Sequence, residues 1–437
     1  MSPAPGAGRL LRERLAGWLI CTMIVLSVIN GVSDGAFPAW PAGLLAWLIG
    51  VMLIETVPRF QQIQFVLMAG IGLAALGLAG LEAAASGGLA LLEGNQALLG
   101  MLAAVSFLRM VTRTGTHLGE RLPQGRQALY QTLAATHLFG AVINISAAFI
   151  VGQRIAKDGS LTALQAKVIS RAFTAAACWS PLFAAMAVVL HYVPGVDMLA
   201  VGRVNLVLAL LLLGYCALEL GRDPAVADFV GFPLHREALT VPVLLSVLVI
   251  AFYNLPTTWP ILTTIVIAAA SCVVLMNLRR PPRDTRRLFS HHVERELPRM
   301  GGEFALFLGA AVLGAGVGAL AGASDLDLVI DPRQPLDGVP LLIALVGLTL
   351  VGIHPVISVA AIAGLFPASL AAPNLVGMVV LMAWSVALGT SPFSGTALAM
   401  QGRFGIPATN FLRWNFRYLL VGLLLATLVL AGADYFT

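Results

Sequence analysis

Two stretches of this chain resemble each other, and each places a Ser-Pro pair inside a long apolar segment. The first contains THLFGAVINISAAFI (136–150) and SRAFTAAACWSPLFAAMAVVL (170–190); the second contains GIHPVISVAAIAGLF (352–366) and LMAWSVALGTSPFSGTALAMQ (381–401). Another apolar run follows in each half, opened by Arg203-Val-Asn205 and by Arg413-Trp-Asn415. A chain that repeats an interrupted apolar element is predicted to fold as two related halves.

The composition places these halves in a lipid bilayer. Of the 437 residues, 59% are hydrophobic and 11% are charged, whereas soluble domains carry about 25% charged residues. The net charge of +5 comes from Lys and Arg in short loops, where these residues set membrane topology, so it does not indicate nucleic-acid binding. The cysteines are scattered through apolar segments and are expected to be reduced.

The apolar runs predict an all-α polytopic membrane protein with about 11 transmembrane helices, since a crossing needs ~20 apolar residues. Two of the crossings, 165–192 and 375–400, are interrupted at Ser-Pro. Two further segments, 129–151 and 339–370, carry polar residues or proline at their centres. We expect both to be re-entrant hairpins, because irregular backbone at membrane depth needs cover from protein or a wet cavity.

The distribution of basic residues predicts the topology. With the N-terminus in the cytoplasm, the C-terminus outside and no crossing by the hairpins, most Lys and Arg face the cytoplasm. Five crossings then separate the two halves, which makes them an inverted repeat with an extra N-terminal helix. The predicted organisation is a tail and extra helix (1–39), a first repeat (40–220), a cytoplasmic linker (221–238) and a second repeat (239–437). The expected location is a plasma membrane of the bacterial inner-membrane type.

The Ser-Pro pairs are the first candidate binding elements. Serine is a favoured helix N-cap and proline suits the first helical position, so Ser180-Pro181 and Ser391-Pro392 are each predicted to start a half-helix. The start of a half-helix carries partial positive charge and free N–H groups, which suit an anion at the bilayer midplane. An ordinary proline kink is the structural alternative.

Further polar residues cluster near these breaks and the predicted hairpins. Hydroxyl groups at the second break favour a ligand site over a contact between helices. The predicted substrate-binding residues are Thr136, His137, Asn144, Ser180, Pro181, His354, Thr390, Ser391, Pro392, Ser394 and Thr396.

His137 and His354 are assigned equivalent positions near the hairpin tips, where an imidazole could carry a coupling proton or donate to a carboxylate. Gly389 and Gly395 allow a close approach of the backbone and join the histidines as predicted ion-coupling positions. Asn144 is expected on the returning arm of the first hairpin. Arg171 is predicted to snorkel to the membrane interface, with an anionic substrate as the alternative partner.

The order of scaffold helices, hairpin, broken helix and closing helix, repeated upside down, resembles the ion transporter superfamily from about residue 40 onward. The resemblance implies an elevator mechanism, in which hairpins and broken helices form a mobile transport domain. The remaining helices would form a scaffold that is often dimeric.

The hairpin tips depart from one branch of that superfamily. Its divalent anion/sodium symporters carry Ser-Asn-Thr at both tips, whereas the corresponding positions here read Ala135-Thr136-His137 and Gly352-Ile353-His354-Pro355. The Ser-Pro breaks, in contrast, match the superfamily in position, so the resemblance implies ligand-binding loops at these two breaks only.

The sequence therefore predicts a secondary active transporter for a small, carboxylate-like organic anion, coupled to Na⁺ or H⁺. A proton-linked exchanger or exporter is the alternative within transport. A polytopic membrane enzyme or a flippase for a lipid-linked substrate is the alternative of another class, although the chain has no HExxH, P-loop or GxSxG motif. The expected partners are the anion, the bilayer and a second copy of the chain. No metal site or cofactor is predicted apart from the coupling ion.

Overall fold

The computed structural model describes residues 7–80, 88, 91–111, 121–234, 240–278, 280–324, 334–365 and 372–433. Their regular elements are helices, and the chain is an all-α polytopic membrane protein. The α-helices are, in chain order, α1 (Ala7–Val32), α2 (Trp40–Leu53), α3 (Arg59–Ala79), α4 (Gln96–Ser106), α5 (Gly125–Ile143), α6 (Ser146–Ile155), α7 (Ala163–Ala175), α8 (Ala184–Tyr192), α9 (Met198–Leu220), α10 (Thr240–Tyr253), α11 (Ile261–Asn277), α12 (Pro282–His291), α13 (Gly301–Ala323), α14 (Val339–Leu350), α15 (Pro355–Leu365), α16 (Pro373–Leu388), α17 (Gly395–Phe404) and α18 (Thr409–Ala431).

Six stretches of the described chain are long and apolar enough to cross a membrane, judged by length and composition. They are Gly8–Val32, Arg59–Ala79, Leu91–Met110, Met198–Leu220, Pro282–Ala323 and Thr409–Ala431. The predicted spans near 40–57, 239–256 and 258–277 are shorter apolar helices. The predicted broken spans are interrupted as expected, because α7 and α8 are separate helices, as are α16 and α17.

Both segments predicted as hairpins are also broken near their middle. In the first, α5 ends at Ile143 and α6 begins at Ser146; in the second, a short connection separates α14 from α15. The backbone φ angle is +51° at Asn144 and +99° at Gly352. Asparagine and glycine tolerate this left-handed region better than other residues do, which explains why each helix stops there.

The two sets of broken helices follow the same register. Met198 and Thr409, the first residues of α9 and α18, are 211 residues apart, and so are the starts of α8 and α17. The two residues with positive φ, Asn144 and Gly352, are 208 residues apart. His137 and His354 are 217 residues apart and match neither spacing. The equivalence assigned to these histidines is therefore wrong.

The chain forms two compact units, each with helices from both predicted repeats. Unit 1 covers 1–111, 244–329 and 359–369, and unit 2 covers 112–243, 330–358 and 370–437. Unit 2 therefore contains both helix breaks, both hairpin breaks and the closing helices α9 and α18.

Within unit 1, α3 and α13 cross closely at two glycines. A Cβ atom on Gly316 would overlap the carbonyl group of Gly72, and one on Gly72 would overlap the carbonyl group of Val312. Small residues let helix backbones approach in this way where no hydrophobic effect drives helices together.

Within unit 2, the described part of the predicted linker, 221–234, is packed against α5. The Phe232 amide donates to Thr132 Oγ1 at 2.7 Å, and the Phe232 ring meets the Phe139 ring edge-on at 5.9 Å. The Gly231 amide donates to the carbonyl oxygen of Pro123 at 2.9 Å. The end of this stretch, 229–234, therefore belongs to the core of unit 2, whereas most of residues 222–228 are exposed.

Candidate functional site

Each Ser-Pro loop is fastened to the hairpin of its own half by the serine hydroxyl. Ser391 Oγ donates to the carbonyl oxygen of Thr349 at 2.8 Å and accepts from the Phe393 amide at 3.2 Å. Ser180 Oγ donates to the carbonyl oxygen of Ala141 and accepts from the Leu182 amide at 3.2 Å. We call these two arrangements the serine pins. Each pin reaches the carbonyl group three residues before the positive-φ residue of the hairpin.

The serine pins correct the predicted role of the two serines. α8 begins at Ala184 and α17 at Gly395, so neither Ser180 nor Ser391 is the N-cap of a half-helix. The hydroxyl groups are fully buried and engaged as both donor and acceptor. Pro181 and Pro392 follow the pins and lie in the turns before the half-helices. The serines therefore hold the loops in position rather than present a free hydroxyl group.

His137 lies inside α5, seven residues before the break at Asn144, so its predicted place at a tip is wrong. Its Nδ1 is 3.1 Å from the carbonyl oxygen of Ala172, and its Nε2 is 3.1 Å from Trp179 Nε1. A carbonyl oxygen only accepts and an indole N–H only donates, so His137 carries its proton on Nδ1. Both ring nitrogens are engaged, and none is left for a substrate.

His354 lies in the connection itself, directly before α15. Its Nδ1 accepts from the Val356 amide at 3.3 Å, so the proton of the neutral ring is on Nε2. Its ring meets the Trp384 ring edge-on at 5.6 Å. The side chain is partly buried, and within the described residues Nε2 forms no hydrogen bond. Of the two histidines predicted as site residues, His354 is therefore the one with a ring N–H group still able to donate to a ligand.

Asn144 lies at the tip, and its expected place on the returning arm is wrong. Its Nδ2 donates to the carbonyl oxygen of Leu182 at 3.1 Å, which ties the tip to the Ser-Pro loop a second time. Thr136 is fully buried in α5, and its hydroxyl group has no hydrogen-bond partner among the described residues.

The remaining predicted residues surround the second break. Ser394 caps α17, because its Oγ accepts from the Ala397 amide at 3.1 Å. Thr390 is buried, and its hydroxyl group turns back to the carbonyl oxygen of Val386 at 3.4 Å. Thr396 is buried in the first turn of α17, whereas a side chain at Gly395 would meet open space.

The two broken helices meet at their breaks. A Cβ atom on Gly389 would lie 2.8 Å from Thr174 Oγ1, so the end of α16 lies against α7. Asn415 Nδ2 donates to the carbonyl oxygen of Gly389 at 2.6 Å and lies 3.5 Å from Ser170 Oγ. This carbonyl group is one that a helix end would otherwise leave unpaired. Asn415 was missed as a site residue, although the repeated Arg-X-Asn pattern pointed to it.

Arg171 does not snorkel, and that prediction is wrong. The side chain is fully buried within unit 2. Its guanidinium group donates to Glu219 Oε2 at 2.5 Å, to Asn415 Oδ1 at 2.8 Å and to the carbonyl oxygen of Trp414 at 3.0 Å. It also lies over the Tyr418 ring, 4.9 Å from the centroid. Arg171 therefore joins α7, α9 and α18.

Four helices begin at the breaks, each with its first residues in unit 2, and they differ in how their first N–H groups are satisfied. His354 and Ser394 supply side-chain acceptors at the starts of α15 and α17. The starts of α6 and α8 have no side-chain cap. Helix starts carry partial positive charge, so these two uncapped ends favour negatively charged groups.

The chain is similar over 97% of its length, and over 98% of the other chain, to the Alcanivorax borkumensis YdaH transporter, with 15% sequence identity and a TM-score of 0.41. No protein-family model and no curated protein matches the sequence. The class that the fold itself defines is that of an all-α polytopic membrane protein.

Proposed function

We propose that this protein is a secondary active transporter for a small, carboxylate-like organic anion. The observation that carries the proposal is the pair of serine pins, which hold both Ser-Pro loops against carbonyl groups beside the two hairpin breaks, all within one compact unit. Interrupted backbone at membrane depth is tolerated where it lines a cavity or a ligand site. Two copies of the same interruption indicate a function beyond an ordinary kink.

The charge of these segments favours an anion. The stretches 125–155, 163–196, 339–365 and 373–404 contain no Asp or Glu, so they offer a cation no carboxylate ligand. The uncapped starts of α6 and α8 and the Nε2–H donor of His354 suit a carboxylate oxygen. We propose that these groups contribute to the substrate site, with backbone groups near Gly395 available to the coupling ion, whereas the carbonyl oxygen of Gly389 already accepts from Asn415.

Unit 2 is the proposed moving body of an elevator mechanism, because it contains both breaks and both hairpin connections. Each chain would supply one such body in a homodimer. If unit 2 moves as a body, spin-label distances within it stay fixed when substrate and coupling ion are added, while distances from unit 2 to unit 1 change. Altered distances within unit 2 alone would contradict this mechanism.

Binding to the purified protein tests the site directly. We expect the unfolding temperature to rise with at least one member of a panel of small mono-, di- and tricarboxylates, in the presence of sodium or at acidic pH. His354→Phe retains an aromatic ring beside Trp384 but removes the Nε2–H donor and, with it, the Nδ1 acceptor of the Val356 amide, so it should weaken that response at least tenfold in ligand concentration.

His191→Phe is the matched control, since His191 lies at the end of α8 and packs against the Tyr192 ring. This variant should respond as the wild type does. Stabilisation by organic cations but by no carboxylate would contradict the proposal, and so would an unchanged response of His354→Phe.

A proton-linked exchanger is the second candidate, and the position of His354 in the connection before α15 is the observation that favours it. Because Nε2 already carries the proton of the neutral ring, a coupling proton would go to Nδ1 and replace the bond from the Val356 amide. In that case the response of the wild type should follow pH and not sodium. An equal response at all pH values, with a requirement for sodium, would contradict the exchanger.

A further inference from the structure

The junction between α12 and α13 is held to the rest of unit 1 by a dense set of polar contacts. We call residues 292–300 the elbow; they form a π-helical turn followed by a 3₁₀ turn. Glu294 pairs with Arg14 at 2.7 Å, and Glu296 pairs with Arg109 and with Arg299, each at 2.9 Å. The acidic side chains of the elbow are therefore already neutralised within the protein.

A buried histidine fastens the elbow to α4. His292 Nε2 lies 2.9 Å from Ser106 Oγ, whose own proton goes to the carbonyl oxygen of Ala103 at 2.7 Å. His292 therefore donates to the serine. The Phe107 ring lies 4.4 Å from the imidazole ring. The position of α12 relative to α1 and α4 is consequently fixed by packing.

α12 itself is exposed, in contrast to the packed elbow that follows it. None of its residues is buried, and Arg283, Arg286 and Arg287 are exposed. Residues three and four apart share one face of a helix, so these arginines form a single basic patch. Within the described residues none of the three takes part in an ion pair, whereas Arg299 of the elbow pairs with Glu296.

Exposed apolar side chains lie beside this basic patch. Leu288 and Phe289 are 39% and 37% exposed, and Trp18 of α1 is 45% exposed. The Phe289 ring lies 6.1 Å from the Trp18 ring and 5.5 Å from the Phe107 ring. A basic helix face next to aromatic and aliphatic side chains is the arrangement that lies in a membrane interface and attracts anionic lipid.

We propose that α12 is a binding site for the headgroups of anionic phospholipids, with the three arginines on the phosphate groups and Trp18, Leu288 and Phe289 among the acyl chains. Guanidinium groups bind phosphate oxygens in two-pronged hydrogen bonds, and Asp284, the carboxylate that α12 itself carries, forms no ion pair with these arginines among the described residues. Such lipid would bind through unit 1, whatever solute the protein carries.

Thermal unfolding of the purified protein in detergent tests the site. Dioleoylphosphatidylglycerol is titrated against dioleoylphosphatidylcholine, and the lipid concentration for half-maximal stabilisation is measured for each protein. The wild type should prefer phosphatidylglycerol. The triple variant R283Q/R286Q/R287Q should need about 100-fold more of it, since each surface arginine contributes roughly a fivefold preference.

R203Q/R413Q/R417Q is the matched control, because it removes three exposed arginines of unit 2. This control variant should keep the wild-type preference for phosphatidylglycerol. In 0.5 M NaCl, that preference should weaken in the wild type and in the control variant. Equal loss in the two triple variants would show an unspecific charge effect and overturn the proposal. A wild type without preference, or one stabilised equally by inorganic phosphate, would overturn it as well.

Discussion

At the scale of single residues, the serine pins determine how the breaks are built. Each hydroxyl group joins a Ser-Pro loop to a hairpin carbonyl group, and both serines are buried. The residue pattern was visible in the sequence, but a local N-cap was expected where the structure has a contact between elements. Sequence spacing reports local periodicity, and it cannot show which distant carbonyl group a hydroxyl group will reach.

Removing a pin should destabilise the fold without a change in its architecture. Ser391→Ala and Ser180→Ala should each lower the free energy of unfolding by about 1 kcal/mol, the net value of a buried hydrogen bond. Chemical unfolding in mixed detergent micelles measures the change.

Ser324→Ala is the control for the pins, because Ser324 is exposed and its hydroxyl group only turns back to the carbonyl oxygen of Leu320. This variant should unfold as the wild type does. Equal losses in the control and the pin variants would mean that the pins contribute nothing specific.

The histidines show why a residue-level prediction failed. His137 and His354 were matched because each is a histidine in an apolar segment, but the chain breaks where a positive φ is tolerated. Asn144 and Gly352 meet that condition, but their conformational preference alone does not place the breaks, because Gly140 and Gly347 in the same segments are helical. The bonds of His137 to Ala172 and Trp179 could not have been read from the sequence, since they depend on how α5 packs.

At the scale of helices, the sequence was a better guide. The predicted span 200–220 became α9 (Met198–Leu220), and the predicted span 303–322 became α13 (Gly301–Ala323). Apolar length and flanking charges are local properties, so they locate helices well. The prediction that Arg171 snorkels was wrong because its partners, Glu219 and Asn415, lie on two other helices.

The crossing of α3 and α13 makes a prediction at this scale. Gly316→Ala should lower the free energy of unfolding by about 1–3 kcal/mol, because the new methyl group forces the two backbones apart. The same unfolding assay measures the loss.

Gly322→Ala on the same helix is the control, since a Cβ atom there meets nothing within 4 Å. It should be neutral or slightly stabilising, as alanine is the better helix former. A control variant that loses as much stability as Gly316→Ala would contradict the close crossing.

At the scale of the whole molecule, the two compact units do not coincide with the two predicted repeats. Unit 2 combines both broken helices, the first hairpin and the first arm of the second hairpin, whereas unit 1 contains residues 359–365 of α15 together with uninterrupted helices of both halves. The 211-residue register of the broken helices supports repetition. The inverted orientation of the halves remains a prediction from the distribution of charge.

Uptake into proteoliposomes is the measurement that tests the central claim most directly. The purified protein is reconstituted, and accumulation of the carboxylate that stabilises it most is followed under an inward sodium gradient, with choline replacing sodium, and under a proton gradient. We predict saturable uptake that depends on one of the two gradients and is lost in His354→Phe but retained in His191→Phe. Carboxylate entry no faster than into protein-free liposomes under either gradient would contradict the account.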